Sequence, residues 1–529
     1  MARKQSNKRV LRHNNSRKKL GGEAIAAGGY GCVFKPALLC KGKTSRGTGV
    51  SKVLLTKDAN EEIAEITKVS RILKRIKDYD DYFVGLNPTS CILEPLTSDD
   101  KINFDSKCGN LTRQGIYASN VNANLSRLKS IDVPYGGLEI EKFFMTHNLT
   151  GDLFFNVNNS LIKLLKNGII PMNQLKLFHL DLKGSNILID NRYNARIIDW
   201  GLSGIQQSVS TIPSAIKNRP FMFNGPIVIS VFEDGFKYFI NSNIRNIKNL
   251  LLNPLKSLND IREPIKYMCN EWITRLINYG YGGHYSYITK TLFKNEFNLN
   301  YTKFPLMNNT NPQIKYDDIN EYLYFNNYVT DGLTEVILKY TSLDGNFDDI
   351  RYFNEVYKHN VDIVGFLSTY YDILLFSTKN SSNNKLSQNQ SVELSLSIKN
   401  LLHKYIYDVK YQANKIDINE LIKDLKSLNK CVRAGYSSVS TPSPVLSPVA
   451  FRAVGPSVSI RPPSPPVVVI SARRSSSSSV PSPVPGPAMI PPPKKTRKRK
   501  VTCDDAKKAL CLSKGKVCNE ASGRCVAVK

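Results

Sequence analysis

The chain has 529 residues, 41% of them apolar, and a formal charge of +29, enough length and apolar content for two or three domains with a real core. No run of about 18 apolar residues exists, which excludes a membrane span, and the first twenty residues lack the apolar centre of an export signal, so secretion is not expected. The charge sits at the ends: residues 1–20 and 431–529 together carry +22, leaving +7 for residues 21–430. Such tails suit docking to DNA or another anionic polymer or surface, or plain solubilisation, and not an active site built for an anion.

Residues 1–20 form a basic tail. Residues 21–137 read as strands with one helix: "EAIA", "CVFKPAL" and "GVSKVLL" are successive strands. Between the first two lies "AAGGYGCVFKP", in which Gly28, Gly29 and Gly31 let backbone amides come close to phosphates. A dinucleotide fingerprint would continue into a helix, whereas Val33-Phe34-Lys35-Pro36 continues as strand. Next comes "DANEEIAEITKVSRILKRI", whose apolar residues at 63, 66, 69, 72 and 73 make a helical stripe, with Asp58 near its start. "DVPYGGLEI" (132–140) ends this part. From 138 to 430 helical patterns such as "NSLIKLLKNG" and "VDIVGFLSTYYDILLF" dominate.

One segment breaks the pattern. "FHLDLKGSNILIDNRYNARIIDWG" contains two short apolar strands, 186–189 and 195–198, with Asp181, Lys183, Asn186 and Asp199 at their ends. A core rarely gathers two carboxylates, a lysine and an amide without a chemical use for them.

Residues 431–500 are a Ser/Pro-rich linker that ends in "KKTRKRK"; its prolines forbid regular structure. Of ten cysteines, Cys32, Cys40, Cys91, Cys108, Cys269 and Cys431 are scattered without metal-ligand spacing and are expected to be buried thiols. Cys503, Cys511, Cys518 and Cys525 crowd into residues 501–529, a unit too small to bury a core, so it needs disulfides or, less in keeping with its spacing, zinc.

His179-Leu180-Asp181-Leu182-Lys183-Gly184-Ser185-Asn186 followed by Asp199-Trp200-Gly201 resembles the catalytic and metal-binding loops of protein kinases, H-R-D-x-x-x-x-N and D-F-G. The resemblance implies a bilobal α+β fold, a β-rich N-lobe and a helical C-lobe, and an ATP- and Mg²⁺-dependent transfer of phosphate to Ser/Thr of protein substrates. It casts Asp181 as base, Lys183 as a cation by the transferred phosphate, and Asn186 and Asp199 as metal ligands. Ala26, Ala27, Gly28, Gly29, Tyr30, Gly31 and Val33 stand for the glycine-rich loop, with Ala26 where the first glycine is expected. Lys52 stands for the phosphate-binding lysine, and Glu65 for its partner, with Glu62 one turn earlier as the alternative. "DVPYGGLEI" fits the hinge between lobes. Asp362, in "NVDIVGFL", would accept hydrogen bonds from catalytic-loop amides. Its distance from Asp199 implies an inserted helical subdomain over about 230–350.

Leu180 replaces the arginine that would receive an activation-loop phosphate, and "FNGP" (223–226) lacks the glutamate of A-P-E, so regulation departs from the family pattern. "GKVCNEASGRCV" resembles the two-cysteine adaptor module of large-DNA-virus proteins, through Cys518 and Cys525. Together these features resemble the serine/threonine kinases of invertebrate iridescent viruses. That resemblance implies a virion or host-cytoplasm location, with the nucleus as an alternative, and protein contacts through the adaptor. Two other functions compete: a small-molecule kinase of the aminoglycoside or choline type, and a virion docking protein on a weakly catalytic kinase fold.

Overall fold

The structure, a computed structural model, describes residues 22–27, 31–251, 253–280, 282–289, 292, 316–378, 383–433, 516–519 and 524–527. The basic tail 1–20, the loop residues Gly28, Gly29 and Tyr30, the linker from 434 to 500, and Cys503 and Cys511 lie outside the described residues. The chain divides into two units, residues 1–440 and 441–529.

The first unit is mixed α+β, mostly helical with small antiparallel sheets. It opens with five strands, β1 (Glu23–Ala27), β2 (Gly31–Lys35), β3 (Val50–Leu55), β4 (Thr89–Cys91) and β5 (Leu128–Val133), in the order β1-β2-β3-β5-β4, every neighbour antiparallel. Alternation along β2 and β3 sends Cys32, Phe34 and Val53 into one apolar cluster, closed by Phe104, Leu111, Ile116 and Val121. Helix α1 (Thr56–Leu73) follows β3 without a loop and covers Leu54 and Ile131 through Ala59. Its other buried residues, Ile66, Val69 and Leu73, join the large core of the helical part.

The sequence-based expectation for the scattered cysteines fails at four of six positions. Cys32–Cys108 and Cys40–Cys91 are disulfides, and only Cys269 and Cys431 are buried free thiols. The partners stand 76 and 51 residues apart, so the pairing arises from strand neighbourhood and leaves no trace in local spacing.

β5 passes through residues 134–137 into β6 (Leu138–Glu139) and helix α2 (Ile140–Thr146). Helix α3 (Gly151–Leu164) then leads to β7 (Leu177–Phe178). The two strands read from the 178–201 segment are present as β8 (Ile187–Ile189) and β9 (Ala195–Ile197), a hairpin whose first strand pairs with β6; β10 (Gly204–Ile205) returns to β7. Within the span read as an insert lie α4 (Asp234–Leu250), α5 (Arg262–Asn278) and α6 (Tyr316–Tyr340), with α5 packed on α6. Helix α7 (Lys358–Thr378) is buried on every side from Val361 to Tyr371, which places it at the centre of the apolar mass; α8 (Gln388–Leu402) packs along it and α9 (Ile418–Ser427) lies near the end of the unit. Among the described residues no helix is long and apolar enough to cross a membrane.

In the second unit the described residues form one hairpin, β11 (Lys516–Asn519) with β12 (Arg524–Ala527), in which Cys518 and Cys525 are directly opposite in register.

Candidate active site

The segment after β7 is held from below by α7. Asp362, 1% exposed, accepts the backbone amides of His179 and Leu180, each at 2.8 Å, and the side-chain amide of Asn173 at 2.9 Å. Burial pushes its carboxyl upward from the ordinary value, opposed by His179 and by those two backbone amides. The Asp362 contacts expected from the sequence are thus present. They hold Leu180 at φ +63°, a conformation that a non-glycine residue keeps only when its surroundings enforce it. Arg219 adds a bond to the Leu180 carbonyl at 2.8 Å. His179 is fully buried, its ring 4.8 Å from that of Trp200. Its Nδ1 accepts the Asp181 amide at 3.3 Å, which leaves Nε2–H to donate to the Ile198 carbonyl at 3.0 Å.

This scaffold presents Asp181. One carboxylate oxygen accepts Lys183 Nζ at 2.8 Å and Asn186 Nδ2 at 3.1 Å; the other accepts Asn224 Nδ2 at 2.9 Å. Asn224 also bonds the Leu182 carbonyl at 3.1 Å, tying the 223–226 turn to the loop. Sequence reasoning noticed that turn only for the glutamate it lacks, and a single asparagine there gives no signal. The same holds for His284. Its amide donates to the Phe221 carbonyl at 2.7 Å and its ring lies 5.4 Å from that of Phe223. Its basicity is lowered by burial first and then by Lys183, against the pull of Asp181. A residue from the inserted span therefore packs on the 221–223 segment, next in the chain to the Asn224 that bonds Asp181.

Asn186 spends its amide nitrogen on Asp181, bonding the backbone carbonyl at 2.7 Å as well as the carboxylate. Its carbonyl oxygen is left as a ligand atom. Its backbone oxygen accepts the Ile198 amide at 3.0 Å, so Asp199 is the residue next to that link. Asp199 is exposed, at φ +68°, and its carboxylate receives only a long bond from Gly201 N at 3.4 Å. Two hard oxygen donors, an amide carbonyl and a largely uncommitted carboxylate, suit Mg²⁺.

The second set of residues lies on the five-stranded sheet. Ala26, Val33 and Lys52 are register partners across β1, β2 and β3 and share the face opposite the Phe34 cluster. Ala27 ends β1. Gly31 opens β2, where a Cβ would come within 2.4 Å of the Val53 carbonyl, so the close strand approach requires glycine. Lys52 Nζ meets both oxygens of Glu62, at 2.7 and 2.8 Å.

That pair corrects the expectation for Glu65, which instead bonds Lys68 at 2.7 Å near the solvent. Helical rotation explains the choice. At 3.6 residues per turn Glu62 lies about 40°, and Glu65 about 100°, from the middle of the buried stripe of α1. The apolar spacing in the sequence already carried this signal.

Backbone bonds join the two parts of the unit. The segment after α1 pairs with β9 through Val84 N to the Ile197 carbonyl at 3.0 Å and Ile197 N to the Tyr82 carbonyl at 2.8 Å, and the Phe83 ring lies 5.8 Å from that of Trp200. Asp181, Lys183 and Asn186 touch directly. Among the described residues no hydrogen bond or ion pair joins them to Lys52. No known family model and no curated protein sequence matches the chain.

Proposed function

We propose that the chain is a protein kinase of bilobal architecture that transfers the γ-phosphate of ATP, with Mg²⁺, to Ser/Thr hydroxyls of protein substrates. The observation that carries this reading is the Asp181 carboxylate, held by Lys183, Asn186 and Asn224 on a loop that Asp362 fixes from beneath. Phosphoryl transfer asks little covalent chemistry of a protein; it asks for a positioned acceptor, a proton acceptor and compensation of charge.

Bound ATP–Mg²⁺ supplies the phosphoryl group and neutralises its charge. The residues of this chain do the rest. Asp181 accepts the proton of the substrate hydroxyl as the hydroxyl oxygen bonds the γ-phosphorus and the bond from that phosphorus to the departing ADP breaks. Lys183, 2.8 Å away, stays beside that carboxylate and offers its charge to the moving phosphoryl oxygens. Asn186 and Asp199 would hold the metal, and Lys52, oriented by Glu62, would hold phosphate oxygens. Lys183 two residues after the base favours Ser/Thr over Tyr by resemblance to the family. The adaptor-like tail and the basic ends fit a viral or virion-associated kinase that reaches partners through regions outside the catalytic unit.

The test is transfer of labelled phosphate from ATP to a basic protein acceptor by the full chain. Asp181→Ala is expected to lower the rate by roughly 10²-fold or more. Turnover by that variant equal to wild type would refute the assignment. Label on an amino alcohol and on no protein would move the reading to a small-molecule kinase.

A further inference from the structure

Cys40, Cys91 and Asp132 come from three separate segments: the link between β2 and β3, strand β4, and strand β5. Their Sγ, Sγ and carboxylate oxygen atoms lie within 4.8 Å of one another, and all three residues are half-buried. We propose that, once the Cys40–Cys91 bond is reduced, the two sulfurs and the Asp132 carboxylate hold a single zinc ion on the sheet.

The carboxylate is the reason to look beyond a structural disulfide. Its Oδ1 accepts two hydroxyls, Ser51 at 2.5 Å and Ser130 at 2.7 Å. That fixes the group so that Oδ2 faces the sulfurs, at 3.3 Å from Cys40 and 4.0 Å from Cys91. Disulfide sulfurs carry no proton to donate, so in the oxidised state this oxygen is aimed at two atoms that give it no hydrogen bond. A cation between them resolves the arrangement. Zinc bonds of about 2.0–2.3 Å in tetrahedral geometry place ligand atoms about 3.3–3.8 Å apart. The two carboxylate–sulfur distances straddle that edge, and the sulfur–sulfur edge, covalently bonded in the oxidised state, widens to it once that bond is cut. Two thiolates with one carboxylate select zinc over Mg²⁺ or Ca²⁺, and the two serine hydroxyls supply the outer bonds that orient a ligating carboxylate.

The balance is simple. A dithiol of the cell gives two electrons and two protons to the disulfide and becomes a disulfide itself. Zinc then displaces both thiol protons. The site is coupled to the sheet face described above: Ser51, which bonds Asp132, immediately precedes Lys52, and its hydroxyl also accepts the Leu38 amide at 2.8 Å.

The experiment uses the full wild-type chain, reduced under argon with a phosphine, desalted, and titrated with zinc chloride well past the amount that saturates the C-terminal cysteines, which compete for the metal. Alkylation is read cysteine by cysteine by mass spectrometry, so the four C-terminal cysteines do not confuse the result. Zinc is expected to slow alkylation of Cys40 and Cys91 together by at least about tenfold, with recovery on adding EDTA. Asp132→Asn is expected to raise the zinc concentration needed by about 10–100-fold. Alkylation of Cys40 and Cys91 unchanged by zinc overturns the proposal, as does protection that is identical in Asp132→Asn.

Discussion

The sheet part and the helical part of the first unit reach stability by different means. Residues 22–133 bury a thin cluster around Phe34, Val53 and Phe104; the Cys32–Cys108 disulfide lies within it and the Cys40–Cys91 disulfide ties the β2–β3 link to β4. Residues 138–433 share one continuous core around α7 and contain only buried free thiols among the described residues. Small layers bury too little apolar surface to offset chain entropy, so covalent links substitute for core. The difference also matters for chemistry. The Asp181 loop rests on the rigid core, whereas Lys52 rests on the stapled sheet, where stability depends on redox state.

If both regions hold parts of one site, damage in either must remove the same activity. The largest loss is expected from Asp181→Ala, about 10²–10³-fold in transfer rate, with Lys52→Ala close behind. A Lys52→Ala variant that transfers phosphate normally would break the link between the regions. Next comes reduction. Replacing Cys32 and Cys108 with serine should cost about 2–4 kcal/mol in denaturant unfolding of the sheet part, while Cys431→Ser should change stability by less than about 1 kcal/mol. Equal losses would erase the contrast.

A smaller effect probes the helical side. Asp372 on α7 lies so close to the loop that carries Asp181 that a Cβ on Gly184 would sit 1.7 Å from its carboxylate. Burial first, then Glu141 and Glu139, push its carboxyl up to about 7. The folded chain therefore keeps a proton that the unfolded chain loses above its ordinary value of 3.8. Stability from this group is fully present below that value and declines as pH rises toward 7. Asp372→Asn should flatten this decline and add on the order of 2 kcal/mol at pH 8, measured by unfolding at pH 5 and pH 8. Smallest is the helix pair. Glu62→Gln should lower transfer about tenfold, and Glu65→Gln should leave it unchanged within twofold; the reverse order would restore the partner first read from the sequence.

The strands, α1, the 187–197 hairpin and the role of Asp362 were legible because each depends on local period or on a motif of fixed spacing. Glu62 was legible too, from the angle of the apolar stripe of α1. The disulfides, Asn224, Arg219 and His284 were not. Each acts through contacts between segments distant in the chain: 43 residues for Asn224 with Asp181, and 76 for Cys32 with Cys108. A single sequence holds no record of such neighbours. The second unit shows the same limit, since opposed Cys518 and Cys525 emerge only from hairpin register.

The central claim is that Lys52 on the sheet and Lys183 on the loop face the phosphates of one nucleotide. An acyl-phosphate derivative of ATP, which acylates lysines beside the bound phosphates, tests it directly on the full chain. The account predicts modification concentrated at Lys52 and Lys183, suppressed by excess ATP with Mg²⁺ and weakened in Asp199→Ala. Modification spread over surface lysines and insensitive to ATP would contradict it.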